Sequence, residues 1–373
     1  MALTLNYFYQ HTKEKYQLKL LTPELSLDHH ITWVHLLEDI NNDSFLRGGE
    51  LIVTTGLECQ RPEALFAMTK RCAEHGVSGI IYNTGMYIHT IPDELLSWCN
   101  KHHLPAFTMP WDIHISDIMQ DYCNEIISEK RIQDIRSAAL SHALVHEVPQ
   151  EYRSVFNQFQ GMKLLASDHP LNIPAYATTI FQDVYYYIFN TETSENVFKS
   201  ISTTEADSIC VGVSSTIPLS STEPYGHSLS TYRKQAYRAM QVSQIKSLHC
   251  QSHAPSPISN EIYLSHFQDI GLYNIALSVE DDEVLEEADR ELSQIQDTEI
   301  LETLREYLEH NGSVQDAADA LFIHRNTVNY RIQKCRNLLD LDAPHQKLKL
   351  LLDFYLCDVR MLRKAFPTHT TTL

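Results

Sequence analysis

Apolar residues recur along the last quarter of the chain with helical spacing. Ser313 precedes Val314, Ala317, Ala318 and Leu321, an N-cap followed by one apolar helix face. Phe322-Ile323 interrupts that period, and Val328, Ile332, Cys335 and Leu339 then resume it at steps of four, three and four as a core-facing stripe. Asn326, Asn329, Tyr330, Gln333 and Lys334 fall away from the stripe, so the second helix turns amides, a phenol and an amine outward. A helix marked by Ile300, Leu301, Leu304, Tyr307 and Leu308 runs up to the stop at Asn311-Gly312, and Leu348, Leu351, Leu352, Tyr355, Leu356, Val359 and Leu362 form another stripe before Pro367. The pattern predicts a C-terminal all-α helix-turn-helix with helical walls on both sides.

The N-terminal third has a different rhythm. Leu51-Ile52-Val53-Thr54, Gly79-Ile80-Ile81-Tyr82 and Leu104-Pro105-Ala106-Phe107-Thr108-Met109 read as strands. Helices opening at Pro62 and Pro92 separate them, the first stopped by Gly76. Strand, helix, strand, helix, strand predicts a parallel α/β domain, in which small ligands sit beyond the carboxyl ends of the strands. The loops there carry Thr54, Thr55, Gly56, Asn83, Thr84, Gly85, Pro110 and Trp111, a neutral polar set with one aromatic. That set suits a planar or uncharged metabolite better than a phosphate, and it has no GxGxxG fingerprint. At each single position the plainer alternative is that glycines make turns and threonines end strands.

From Ile115 to about His146 no Gly or Pro intervenes, and Ile118, Met119, Tyr122, Ile126, Ile132, Ile135, Ala139 and Leu140 mark one side of a long connecting helix. The middle of the chain, 151–291, reads as α+β. Thr178 to Phe189 is aromatic and β-prone, Ser208 to Ser215 is another strand, and Tyr232, Ala236, Ala239 and Met240 mark a helix face. Tyr185, Tyr186 and Tyr187 form no stacking platform, because neighbours on a strand face opposite ways; a mixed core and dimer surface fits them better. The acidic run at Glu280-Asp281-Asp282-Glu283 marks a solvated helix start.

Composition narrows the function. At 373 residues the chain is long enough for two or three domains, and 43% apolar content is ample for their cores. No run of about 18 apolar residues and no leader pattern occurs, which predicts a soluble cytoplasmic protein without a membrane partner. Eight dispersed cysteines without a CxxC pair read as reduced thiols, and the 20 histidines include adjacent pairs that cannot face one metal, so neither metal nor cofactor is expected. Net charge is −19, yet from His324 to Arg336 there are Arg325, Arg331, Lys334 and Arg336 and no acid. A basic island on an acidic chain is what local contact with phosphates needs.

These residues also carry a resemblance. Leu301-Glu302-Thr303-Leu304, Tyr307-Leu308, His324-Arg325-Asn326-Thr327 and Tyr330-Arg331-Ile332 resemble the C-terminal helix-turn-helix of PucR-type and CdaR-type bacterial regulators, over about residues 301–359. Trp33-Val34-His35, Phe45-Leu46-Arg47-Gly48-Gly49-Glu50-Leu51, Thr54-Thr55-Gly56 and Ile91-Pro92 are similar to the N-terminal sensory domain of the purine-catabolism regulator family, over about residues 21–129. The middle resembles the degenerate cyclase-like domain often found in this family. It lacks the Gly-Gly-Asp/Glu-Glu-Phe signature, and no pair of carboxylates suited to two Mg²⁺ ions appears, which argues against cyclase activity.

The resemblance implies a sensory domain at 1–130, a central domain at 151–291 and a DNA-binding domain at 296–366, and the residue pattern places the connecting helix at 115–150. It also implies a transcriptional regulator, controlling purine, other nitrogen or amino-acid catabolism. Expected contacts to double-stranded operator DNA are His324, Arg325, Asn326, Thr327, Asn329, Tyr330, Arg331 and Lys334; expected effector contacts are Arg47, Glu50, Thr54, Thr55, Asn83, Thr84 and Trp111. A single helix-turn-helix reads few base pairs, so a homodimer or larger assembly is expected. Two other classes compete: an enzyme using the α/β region, for which no Ser-His-Asp order, P-loop, zinc motif or nucleophile elbow appears, and a protein-interaction adaptor, which the acidic total would suit.

Overall fold

A computed structural model describes residues 3–39, 44–147, 155–156, 161–193, 197–198, 201, 208–218, 225–253 and 261–367. Two compact units divide the chain, Met1–Ile135 and Arg136–Leu373.

The first unit is built on a sheet of β1 (Lys19–Leu20), β2 (Trp33–Leu36), β3 (Glu50–Thr54), β4 (Gly79–Thr84) and β5 (Ala106–Pro110), in the order β1-β5-β4-β3-β2. All pairs are parallel except the short edge strand β1, which runs antiparallel to β5. Side chains alternate between two cores, as strand geometry requires. Ile52, Ile80 and Tyr82 meet Leu65, Met68 and Cys72 of α2 (Pro62–Glu74) and Leu95 and Cys99 of α3 (Asp93–Lys101) on one face. Leu51, Val53, Ile81, Phe107 and Met109 meet Leu5 and Phe8 of α1 (Leu5–Thr12) and Ile118 and Tyr122 of α4 (Ile115–Ala143) on the other. Both faces are covered, which is why these strands read as continuous apolar runs. The parallel α/β expectation holds, with α1, β1 and β2 added to it.

The connecting helix α4 continues through the division between the units. In the second unit a mixed sheet runs β11-β9-β6-β8-β7, with β6 at Gly161–Ser167, β7 at Ala177–Phe181, β8 at Val184–Asn190, β9 at Ile209–Val213 and β11 at Ile262–His266; β10 (Ile217–Pro218) also pairs with β6. The aromatic stretch read as one strand is a hairpin. Gln182 and Asp183 take φ of 51° and 60°, the left-handed pair of a two-residue hairpin turn, and β7 and β8 pair across it. Tyr186 and Tyr187 are both buried, in separate clusters on the two faces. Helix α5 (Tyr225–His253) lies directly on β9, and Gly212 makes that possible: a Cβ there would stand 2.0 Å from the Met240 nitrogen and 2.2 Å from the Ala236 oxygen.

Behind α5 come α6 (Tyr273–Ala276), α7 (Asp282–Leu292), α8 (Thr298–Glu309), α9 (Val314–Ala320), α10 (Arg325–Leu339) and α11 (Gln346–Ala365). Helix α11 serves two cores. Leu350 and Phe354 pack with Leu304, Ala317, Val328, Ile332 and Cys335. Leu356, Val359 and Leu362 pack with Ala239, Val242 and Ile245 of α5 and with Leu285 and Ala288 of α7. Asp358 sits in that second contact, 4% exposed, accepting from His249 Nε2 at 2.8 Å, Tyr273 Oη at 2.6 Å and Arg305 Nη2 at 2.8 Å.

Candidate nucleic-acid interface

The helix-turn-helix is assembled by caps that the sequence announces. Ser313 Oγ accepts from the Asp316 amide at 3.3 Å and opens α9. Closing that helix, the Phe322 amide donates to the Asp319 carbonyl at 3.3 Å and the Ile323 amide to the Ala318 carbonyl at 3.0 Å, a Schellman ending in which the chain turns and α10 begins. His324 is the N-cap of α10, its Nδ1 accepting from the Asn326 amide at 3.2 Å.

All four residues of the expected stripe, Val328, Ile332, Cys335 and Leu339, are buried against α8, α9 and α11. Burial pushes the Cys335 thiol up to about 11, so it is a neutral packing group. Among the expected DNA contacts, His324, Arg325, Asn326, Asn329, Tyr330 and Lys334 are exposed and Thr327 is partly covered. Lys334 Nζ lies 4.7 Å from the centre of the Tyr330 ring, which braces two long side chains on the outer face.

Arg331 is placed differently. Its guanidinium turns back onto α8, where it pairs with the Glu299 carboxylate and donates to Thr303 Oγ1 at 3.1 Å. Thr303 is buried and its hydroxyl in turn donates to the Glu299 carbonyl at 2.7 Å. The sequence marks Arg331 as one more cation of the basic helix; its partner stands 32 positions earlier on another helix. Asp316 and Asp319 are exposed on α9, so the basic character of the motif is confined to α10.

In the first unit the expected effector residues fall at two ends of one strand. Glu50 begins β3, is buried, and accepts from the amides of Arg47 at 2.7 Å and Gly48 at 2.8 Å, holding the turn that enters the strand. Thr54, Asn83 and Thr84 close β3 and β4, and Thr55 and Trp111 follow β3 and β5 directly, so the five gather at the carboxyl ends of the strands. At about 3.3 Å per residue the length of β3 separates the two groups.

At the carboxyl end several polar groups are already partnered. Asn83 Nδ2 donates to the Pro110 carbonyl at 2.9 Å, and Thr54 Oγ1 accepts from the Gly56 amide at 3.0 Å. Glu38, which sequence reasoning missed, clamps the loop by accepting from the Thr55 amide at 2.9 Å, the Thr55 hydroxyl at 2.8 Å and the Leu57 amide at 3.1 Å. The Trp111 ring stays part-exposed, edge-on to Tyr87 at 5.5 Å. Tyr87 also lines a cavity of about 140 Å³ with Cys59, Gln60, Leu65, His89 and Thr90. Ordinary ligand pockets begin near 300 Å³, so this one admits only a small molecule.

Among the described residues no cluster of His, Cys, Asp and Glu has the arrangement of a metal site, and no helix is long and apolar enough to cross a membrane.

Comparison with known proteins locates both ends of the chain. Residues 10–126 match the purine catabolism regulatory protein-like family, and residues 300–356 match the PucR C-terminal helix-turn-helix domain. The chain is similar to the proline-responsive transcriptional activator PutR of Bacillus subtilis (strain 168), 35% identical over 96 residues that make up 23% of each chain. It is also similar to the purine catabolism regulatory protein of the same organism, 41% identical over 61 residues, 16% of this chain and 12% of that one. The matched stretches thus span less than a quarter of either relative. The crystal structure of a regulator of polyketide synthase expression from Bifidobacterium adolescentis covers 61% of this chain and 92% of its own, at 16% identity and a TM-score of 0.23, too low to bear on the fold. The chain thus carries a PucR-type purine catabolism regulatory protein-like domain over residues 10–126 and a PucR-type C-terminal helix-turn-helix domain over residues 300–356.

Proposed function

We propose that this protein is a sequence-specific transcriptional regulator that binds operator DNA through α10 and responds to a small metabolite held at the carboxyl ends of β3, β4 and β5. The observation that carries the DNA half is the outer face of α10, where Arg325, Asn326, Asn329, Tyr330 and Lys334 stand exposed without an acid between His324 and Arg336, on a chain of charge −19. Amides and guanidinium groups on the first turns of such a helix are the groups that read base edges, while its cations hold phosphates. A cytoplasmic homodimer is the working form, because one motif reads too few base pairs for useful specificity.

The metabolite half rests on the sheet topology, with the exposed Trp111 ring edge-on to a half-buried Tyr87 at the strand ends. One relative is named as proline-responsive and another for purine catabolism, which directs the search to amino acids, purines and related nitrogen compounds. Signal passes along α4; a Gly or Pro at Ser137 breaks that helix and uncouples effector from DNA.

The test is salt-dependent binding of the full chain to its own upstream DNA. Arg325→Ala weakens binding by about 1–3 kcal/mol if the side chain reads a base, or lowers the salt slope by about 1 if it holds a phosphate. Equal, weak binding by wild type and variant would overturn the reading. A thermal-shift screen with purines, ureides and amino acids tests the other half, since a ligand at about 100 times its Kd stabilises by ~2.7 kcal/mol.

A further inference from the structure

Phe322 is the residue that the fold itself does not explain. It occupies the position just past α9 where the Schellman ending requires a left-handed backbone, and its φ is +54°. Glycine is the residue suited to that conformation, since a Cβ there crowds the neighbouring carbonyl. The preceding helix in the same domain ends in the expected way, on Asn311-Gly312, both at positive φ. Phe322 therefore destabilises the turn relative to glycine.

Its ring returns nothing to the folded chain, being 96% exposed, while the next residue, Ile323, packs against the core of the domain. A lone exposed apolar side chain is ordinary on a protein surface. An exposed ring at a strained position, between the two helices of the motif and three residues ahead of Arg325, is not accounted for by folding, and backbone strain of this kind collects at functional sites.

The surroundings say what covers it. The first turn of a recognition helix enters the major groove, so the residue that leads into that turn arrives at the groove with it. On α10, the helix that Phe322 leads into, Arg325, Lys334 and the exposed Tyr330 ring make a positive and aromatic outer face that complements a polyanion carrying stacked bases. The one apolar group that DNA offers in the major groove is the thymine 5-methyl, and Phe is among the side chains that contact it. Resting on the DNA-binding reading above, we infer that Phe322 is a specificity residue whose ring covers a thymine methyl at the edge of each half-site.

The experiment starts from a pool of random-sequence duplexes. The full-length wild-type chain selects from the pool, and the most enriched duplex is titrated with wild type, Phe322→Gly and Phe322→Asn, both residues that tolerate positive φ. Each thymine in the protected region is then replaced singly by deoxyuridine, which removes only the methyl group. At one thymine per half-site, deoxyuridine weakens wild-type binding about fourfold, the effect of uncovering one methyl. Both variants bind the thymine duplex at least about fourfold more weakly, are indifferent to that replacement, and melt no lower than wild type. The inference is overturned if the variants bind and discriminate as wild type does, if no thymine methyl matters to wild type, or if the variants change only the oligomeric state, which would place the ring between two copies. If wild type enriches no duplex, the DNA-binding reading itself fails and this inference falls with it.

Discussion

Replacing Asp358 by Asn removes one charge from the contact between α11 and the central helices while keeping the shape of the side chain. The carboxylate is 4% exposed and accepts from His249 on α5, Tyr273 on α6 and Arg305 on α8, the last through Nη1 at 3.2 Å and Nη2 at 2.8 Å. Burial alone pushes its pKa up, but the hydrogen bonds and charges of His249 and Arg305 outweigh that and hold it below the usual carboxylate range. In the variant the half-buried guanidinium of Arg305 loses one of its two carboxylate partners and an amide group is turned toward donors. Removing one partner of a buried pair costs about 3–5 kcal/mol. Arg305 keeps Glu309 at 3.1 Å and its side chain is 22% exposed, so the lower end, about 3 kcal/mol, is expected. Urea unfolding of the full chain at pH 7 measures it. Because the folded pKa is depressed, the stabilisation is present above the ordinary carboxylate range and is lost as pH falls through the lower folded value, so wild type and Asp358→Asn converge in acid. A loss under about 1 kcal/mol at pH 7, or a difference that does not shrink in acid, would refute the reasoning.

Arg331→Ala lowers stability by about 1–2 kcal/mol because it strips Glu299 and buried Thr303 of their partner, whereas Arg325→Ala leaves the melting temperature unchanged and lowers DNA affinity; melting curves beside binding titrations separate the two. Gly212→Ala drives a methyl group into the backbone of α5 and costs about 3 kcal/mol or more, visible as insoluble expression or a steep loss of melting temperature; a variant of native stability would contradict the packing described. Glu50→Gln weakens the turn at Arg47 and Gly48 by about 1–2 kcal/mol yet leaves any metabolite-induced thermal shift intact, while Trp111→Ala abolishes that shift; the reverse pattern would place the ligand at the other end of β3.

Much of this fold could be read from period and punctuation. The stripe Val328, Ile332, Cys335 and Leu339 is buried as its spacing requires, Ser313 caps α9, and the apolar runs around Leu51, Ile80 and Phe107 are strands covered on both faces. The hairpin of β7 and β8 escaped because Gln182-Asp183 is not one of the Gly-rich turn pairs that mark hairpins, although twelve β-prone residues exceed the usual strand of five or six. What remained hidden is long-range pairing of polar groups. Arg331 is 32 positions from Glu299, Thr55 is 17 from Glu38, and Asp358 is 109 from His249. Each reads locally as a surface residue on its own element, and only tertiary packing turns it inward. At the candidate interface the outward set on α10 was legible because it is the complement of the buried stripe; the removal of Arg331 from that set was not.

The double service of α11 bears on how this protein can be dissected. The family match ends at residue 356, but the helix continues to Ala365, and Val359 and Leu362 in that last stretch are covered by α5 and α7. A C-terminal fragment beginning after α7 would carry these side chains into solvent and leave Asp358 without His249 and Tyr273. Such a fragment would tend to cluster through the bared face of α11, and a dimer seen with it would report the cut rather than the native assembly. Stoichiometry on DNA is therefore to be measured on the intact chain, or on a fragment that begins no later than Arg136.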